Sequence, residues 1–263
     1  MKKSLKLFSL SSLFLLLMGA NSFGATQPKK DPKIGIIGAM DSEINLLKGS
    51  MKNVNSKKIG KITFYEGELQ GKNVVLFRTG VGKVNSAVGT DIAIREFGVD
   101  KIIFTGIAGA VDHNLNVLDL VVSDKLAQHD VDLTAFGCPL GLVDEEESPF
   151  FPADKDLIEV AKKSAVKVLG EDKVHVGTII SGDQFIADKQ KVISLGNSFE
   201  AKAVEMEGAS VAQVAYAMYK VPFVVLRTIS DKADGSAQIS YEDLKTAASN
   251  HSAKIVLEML NNL

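Results

Sequence analysis

Short apolar runs recur along this chain, spaced so that helices fit between them. Ile34–Ile37, Ile62–Tyr65, Val74–Arg78, Lys101–Thr105, Leu118–Ser123, Val174–Ser181, Ala203–Met206 and Phe223–Ile229 are rich in β-branched and aromatic residues and read as strands. Between several of them, apolar residues return at the helical period, in Ser42–Lys48, Val84–Phe97, Asp154–Leu169 and Ala209–Tyr219. A final helix is announced by Ser240-Tyr241-Glu242-Asp243, a capping-box-like start, and carries apolar positions Tyr241, Leu244, Ala248, Ile255 and Met259. Alternating β and α units predict an α/β fold with a mainly parallel, helix-covered sheet.

Three of these strands end in acids. Phe223-Val224-Val225-Leu226 is too apolar to be a surface loop, so Arg227 and Asp231 stand where a buried strand emerges. Ala203-Val204 runs into Glu205-Met206-Glu207, and Lys33-Ile34-Gly35-Ile36-Ile37 runs into Gly38-Ala39-Met40-Asp41-Ser42-Glu43. Charges at one strand end are often merely solvated. Repetition at three ends points instead to a shared site, at the edge where open α/β sheets bind ligands.

Glycine clusters raise the question of a cofactor. Gly35-Ile36-Ile37-Gly38 lacks the G-x-G-x-x-G spacing of dinucleotide binding. Thr79-Gly80-Val81-Gly82-Lys83-Val84 lacks the phosphate-loop spacing, and Val84 stands where that loop needs a hydroxyl. Neither supports NAD or ATP, and no cofactor is expected. Gly106-Ile107-Ala108-Gly109-Ala110 reads as a third tight turn whose small residues would let a flat ligand lie against backbone. His113, His129, His175 and His251 are scattered without metal-ligand spacing. His129-Asp130-Val131-Asp132 has a weak ligand look, for which a polar strand end facing solvent or a subunit partner is the plainer reading.

The N-terminus has a different character. Lys2, Lys3 and Lys6 precede an apolar run from Leu7 to Met18 and small residues up to Ala25, with Ser22 and Gly24 suited to the positions before a cut. The pattern reads as a signal peptide over residues 1–24, a polar linker over 25–32 and a catalytic domain over 33–263, exported to a bacterial periplasm. A run of about a dozen apolar residues is short for a membrane-spanning helix, which needs ~20. Loss of residues 1–24 removes three lysines and no acid, moving the formal net charge from −2 to −5. Such an acidic domain is a poor ligand for nucleic acid or anionic membrane. The single cysteine, Cys138, rules out an intrachain disulfide framework. The least regular stretch, from Gly137 to Pro149, is a long acidic loop of the kind that forms lids or binding loops.

Five ordered motifs carry a resemblance: Gly35 to Glu43, Thr79-Gly80-Val81-Gly82-Lys83-Val84-Asn85, Ser181-Gly182-Asp183-Gln184-Phe185-Ile186, Val204-Glu205-Met206-Glu207 and Arg227-Thr228-Ile229-Ser230-Asp231. Together they closely resemble the 5′-methylthioadenosine/S-adenosylhomocysteine nucleosidases, from about Lys33 to the C-terminus. The resemblance implies a nucleoside-phosphorylase-like single domain with a central mixed β-sheet flanked by helices, a homodimer, and hydrolysis of an N-glycosidic bond to release adenine. By matching positions, Asp231 would deliver a proton to adenine N7, oriented by Ser230, and Glu43 would activate water. Glu207 would bind the ribose hydroxyls with Met206, and Phe185 would stack on adenine while the Ile186 backbone reads its edge. Arg227 would organise the acidic site. Ile107, Ala108, Gly109, Glu205 and Tyr241 are further positions expected against substrate, and Leu133 and Phe136 match positions reaching the 5′-alkylthio pocket of a neighbouring subunit.

The chemistry accounts for these residue types. Adenine anion is a poor leaving group, so protonation of the ring is needed, and general acid catalysis contributes ~10²–10⁴-fold. As the ribose becomes oxocarbenium-like, an anionic Glu207 at its hydroxyls would favour the positive charge. Phosphorylases of the same superfamily need a cationic phosphate cradle, typically a Gly-Asp-Pro-x-Arg loop after the first strand. Here that loop reads Gly38-Ala39-Met40-Asp41-Ser42-Glu43, with acids and no arginine. Three departures from the family pattern bear on the 5′-substituent: Ile107 where relatives carry a small hydroxyl residue, Leu118 in place of a frequent glycine before Asp119, and the acids from Asp144 to Glu147. Phosphorolysis, action on 6-amino-6-deoxyfutalosine, and an exported binding protein without turnover are the competing readings.

Overall fold

The computed structural model describes residues 32–232 and 237–263. The signal-peptide and linker expectations fall outside them, apart from Pro32. In chain order the elements are β1 (Ile34–Gly38), α1 (Asp41–Ser50), β2 (Lys52–Ile59), β3 (Ile62–Leu69), β4 (Lys72–Arg78), α2 (Lys83–Phe97), β5 (Lys101–Ala110), β6 (Leu120–Gln128), β7 (Phe150–Pro152), α3 (Lys155–Leu169), β8 (Val174–Ser181), α4 (Lys189–Phe199), β9 (Ala201–Glu205), α5 (Gly208–Ala212, continued by a π-helical turn to Tyr219), β10 (Phe223–Asp231) and α6 (Ala237–Asn262).

Among the described residues, all ten strands belong to one mixed sheet. β1 pairs in parallel with β4 on one side and β5 on the other, and β4, β3 and β2 extend the sheet as an antiparallel meander. Beyond β5 the sheet curls shut. β5 pairs with β10, β10 with β6, β6 with β8, β8 with β9, and β9 returns to β5. β9 runs antiparallel to β5 and overlaps it only where Gly109 and Ala110 face Val204 and Ala203. The C-terminal ends of these two opposed strands therefore meet in one place.

Burial on both faces explains the unbroken apolar runs. Ile34, Ile36, Val74, Leu76, Ile103, Val224 and Leu226 pack into a core shared with α1, α3 and α6. Their alternates Ile37, Val75, Phe77, Ile102, Phe104, Phe223 and Val225 pack on the other face with α2 and α5.

Several boundaries differ from the sequence expectations. β2 is an edge strand with nearly every residue exposed, so it has no apolar period to read, and its lysines suit an unpaired edge. α4 and the short β7 went unrecognised. Gly106 to Ala110 is not a turn; it continues β5 without interruption. β6 begins at Leu120 and not at Leu118, because Leu118 takes φ of 71°, a left-handed conformation incompatible with a strand. α6 already runs from Ala237, so Ser240 to Asp243 lies inside the helix and is not its cap.

Candidate active site

The ends of β1, β5, β9 and β10, with the loop after β8 and the turn after β4, enclose a cleft with about 580 Å³ of space between protein atoms, counting its open side. That suits a small organic ligand.

Glu43 is placed by the β1–α1 turn. As the third residue of α1 it reaches back, and its Oε2 accepts from the backbone N–H of Ala39 at 2.7 Å and of Met40 at 2.9 Å. Its Oε1 accepts from the Ile107 N–H of β5 at 3.3 Å. This closeness explains the glycine at 106. A Cβ there would lie 2.5 Å from Arg227 Nη1 and 2.9 Å from Glu43 Oε1. Burial raises the Glu43 pKa above the ordinary carboxylate value, against the lowering effect of Arg227 and the three N–H donors.

Asp231 ends β10. The register against β5 shifts between Ile229 and Asp231, an irregularity that re-aims the strand end. Ser230 Oγ donates to Asp231 Oδ2 at 2.8 Å and lies 3.3 Å from the Ala108 carbonyl. Both residues are buried.

Behind the cleft, Arg227 is 1 % exposed and lies 4.0 Å from the Phe104 ring centroid. Its Nε and Nη2 both donate to Glu205 Oε2. Burial opposes its charge, but Glu205, Glu207 and Glu43 together hold it protonated. Glu205 also accepts from Ser181 Oγ and from the N–H groups of Glu207 and Gly208, which fixes the turn into α5. Ser181 Oγ in turn accepts from Ala209 N–H at 2.7 Å.

That turn presents Glu207, whose Oε1 accepts from Gly82 N–H at 2.9 Å and whose Oε2 is 3.8 Å from Arg227 Nη2. Burial, with the neighbouring Glu205 charge next, pushes the Glu207 pKa up to about 8. In the free protein Glu207 therefore holds a proton near neutral pH, where the sequence expectation made it an anion.

The start of α2 ties this centre to the loop after β8. Lys83 N–H donates to Asp183 Oδ1 at 2.8 Å, Lys83 Nζ donates to Asp130 Oδ1 at 2.5 Å, and Asp183 N–H donates to Asp130 Oδ2 at 2.9 Å. Asp130 is thus an internal anchor, with its side chain 17 % exposed. Among the described residues, no group of three or more His, Cys, Asp or Glu could hold a metal ion.

Glu43, Glu205, Glu207 and Asp231 line the cleft, and no lysine or arginine does so among the described residues. Met40, Val81, Ile107, Phe185 and Ile186 supply apolar walls. Two buried carboxyl groups on different elements, Glu43 on α1 and Asp231 on β10, can give and take protons across a ligand, and the surplus of acids favours positive charge and repels anions.

The sequence profile described as the phosphorylase superfamily matches residues 33–261. The 5′-methylthioadenosine/S-adenosylhomocysteine nucleosidase of Psychromonas ingrahamii is 43% identical over 232 residues, 88% of this chain and 99% of the relative. The chain belongs to this nucleosidase family. A crystal structure of the family's Neisseria meningitidis enzyme, in complex with methylthio-immucillin-A, superposes with a TM-score of 0.84 at 43% identity, covering 88% of this chain and 99% of that one. A structure described as futalosine hydrolase of Helicobacter pylori superposes with a TM-score of 0.83 at 38% identity, covering 88% and 98%.

Of the positions singled out from the family motifs, Glu43, Ile107, Ala108, Gly109, Phe185, Ile186, Glu205, Met206, Glu207, Ser230 and Asp231 all line the cleft. Arg227 sits behind it. Leu133 and Phe136 lie outside it, Leu133 just before and Phe136 at the end of the short helical turn Thr134–Phe136, with Phe136 84 % exposed. Tyr241 falls on α6, but its side chain is outside the described ones. Unforeseen were the wall residues Ala39, Met40, Val81 and Gln184, and the supporting Ser181, Gly82, Lys83, Asp130 and Asp183. Gly82-Lys83 was visible as a phosphate-loop mimic; the structure spends its lysine on Asp130.

Proposed function

We propose that this protein hydrolyses the N-glycosidic bond of 5′-methylthioadenosine and S-adenosylhomocysteine, releasing adenine and the 5-thioribose product. The observation that carries this reading is the charge of the cleft: four carboxyl groups line it, and Arg227 behind it is committed to Glu205. Phosphate would be repelled there, whereas water activated by a carboxylate is not.

In this reading the C1′–N9 bond breaks as Asp231, steadied by Ser230, delivers its proton to adenine N7. A water oxygen bonds to C1′ and passes its proton to Glu43, which returns the site to its starting proton count once the two carboxyl groups re-equilibrate. The raised pKa of Glu43 makes it a stronger base than an ordinary carboxylate. Glu207 faces the ribose hydroxyls and, in its ionised form, favours the positive charge that develops on the sugar. Phe185 and Ile186 cover the base, and Met40 with Val81 meets the thioether.

Adenine release from purified protein, measured with both substrates and with 6-amino-6-deoxyfutalosine, tests the reading. Release from the two thio-nucleosides is expected; release from the third alone would overturn the substrate assignment in favour of the activity named for the Helicobacter pylori neighbour.

Two further parts of the reading concern assembly and address. Exposed Val81, Val84, Val88 and Phe136 support a homodimer in which Leu133 and Phe136 reach the neighbour's 5′ pocket. The basic and apolar start, which precedes the family match at residue 33, supports export to the periplasm and removal of residues 1–24. N-terminal sequencing of protein from the native host should then begin at Ala25, and an intact Met1 in the cytosolic fraction would contradict export.

A further inference from the structure

Past the wall formed by Met40 and Val81, the surface continues into an open trough of about 540 Å³. It shares Ala39, Met40 and Val81 with the cleft and is otherwise lined by Asp41, Ser42 and Arg78. These meet because β1 and β4 pair with Gly38 opposite Arg78, so the first residues of α1 sit beside the end of β4. Arg78 Nε and Asp41 Oδ1 are 3.3 Å apart, with side chains 48 % and 69 % exposed. Ser42 Oγ is buried and has no hydrogen-bond partner among the described residues. The hydrolysis described above uses none of the three.

We infer that this trough is the subsite for the amino-acid end of S-adenosylhomocysteine, with the ligand carboxylate on Arg78 and the ligand ammonium on Asp41. The inference rests on the proposed function. With the base at Asp231 and Phe185 and the ribose between Glu43 and Glu207, the side of the cleft left for a 5′ chain is the Met40 and Val81 wall, and the trough opens beyond it. The surface sequence along that path is apolar, then charged. A thioether chain ending in a zwitterion has the same order of chemistry, and a methylthio group stops at the apolar part. An amino acid carries its two charges on one carbon, close enough for each to meet one member of the Arg78–Asp41 pair. Trading that exposed pair for two pairs with ligand costs little, since exposed ion pairs are weak. A 5′ chain ending in a carboxylate alone would be drawn by Arg78 and repelled by Asp41, so Asp41 distinguishes the two chemistries.

Steady-state kinetics on S-adenosylhomocysteine, 5′-methylthioadenosine and 5′-butylthioadenosine, whose neutral chain is of similar reach, test the inference in the full protein. Arg78→Met and Asp41→Asn should each lower the ratio of kcat/KM for S-adenosylhomocysteine over the butylthio compound by about two- to tenfold, through KM. Salt at about 1 M should move the wild-type ratio the same way. An unchanged ratio in both variants overturns the inference, as does a parallel loss on all three substrates. A ratio that falls with Arg78→Met but rises with Asp41→Asn overturns it in favour of a carboxylate-only chain. Failure of wild-type protein to release adenine from any of the three would instead remove the proposed function, and the subsite with it.

Discussion

Asp231 and Glu43 are both buried carboxyl groups, but their surroundings suit different tasks. Glu43 is gripped by three backbone N–H groups and faces Arg227, whereas Asp231 has the Ser230 hydroxyl beside it at a re-aimed strand end. Asp231→Asn keeps the shape and loses the proton; turnover should fall by about 10²–10⁴-fold while the thermal unfolding temperature stays near wild type. Near-normal turnover would remove Asp231 from the role of acid. Glu207 adds a pH effect. Its pKa rises from 4.5 in an exposed setting to about 8 in the fold, so between those values the folded protein binds a proton that the unfolded chain has released. Its contribution to stability is complete below 4.5 and is lost as pH climbs through 8. Glu207→Gln should therefore flatten the fall of the unfolding temperature between pH 5 and pH 8, the window set by that shift; an unaltered slope in a calorimetric pH series would show that Glu207 ionises normally.

Strands buried on both faces and helices with one apolar face were legible, and the edge strand exposed on both faces was not. β10 and β5 announced themselves because both faces of each strand are covered, as Phe223 and Val224 illustrate by packing into opposite cores. β2 was silent because nothing covers it. The Gly106–Ala110 segment misled for a physical reason: glycine at 106 makes room for Arg227 and Glu43 against a straight strand and does not bend the backbone. Charge partners were equally hidden, since Lys83 and Asp130 are 47 residues apart in sequence. The start of α2 holds Glu207 through Gly82 and the Phe185 loop through Lys83. Lys83→Met removes the Asp130 pair, loosens that loop, and should raise KM for both thio-nucleosides more than it lowers kcat. An effect on kcat alone, in steady-state kinetics, would contradict this link.

At the scale of the molecule, the strand directions decide where chemistry is possible. Sequence motifs identified the participating residues, but the return of β9 to β5, which brings Glu205 and Glu207 to the Glu43 and Asp231 ends, depends on a closure that no local pattern records. Val84 and Val88 on α2 and Phe136 beyond the cleft remain exposed in the single chain. Sedimentation should give twice the subunit mass, and Val84→Asp should shift the population toward monomer; a wild-type monomer at micromolar concentration would contradict the homodimer. The acidic cleft bears on the reaction itself, because among the described residues no lysine or arginine lines it to bind phosphate. The decisive measurement is the identity of the sugar released from 5′-methylthioadenosine with and without inorganic phosphate, read by phosphorus NMR and a reducing-sugar assay. Free 5-methylthioribose, formed at the same rate in both conditions, is the expected result; a phosphate-dependent rate with the sugar recovered as its 1-phosphate would contradict hydrolysis and make this protein a phosphorylase.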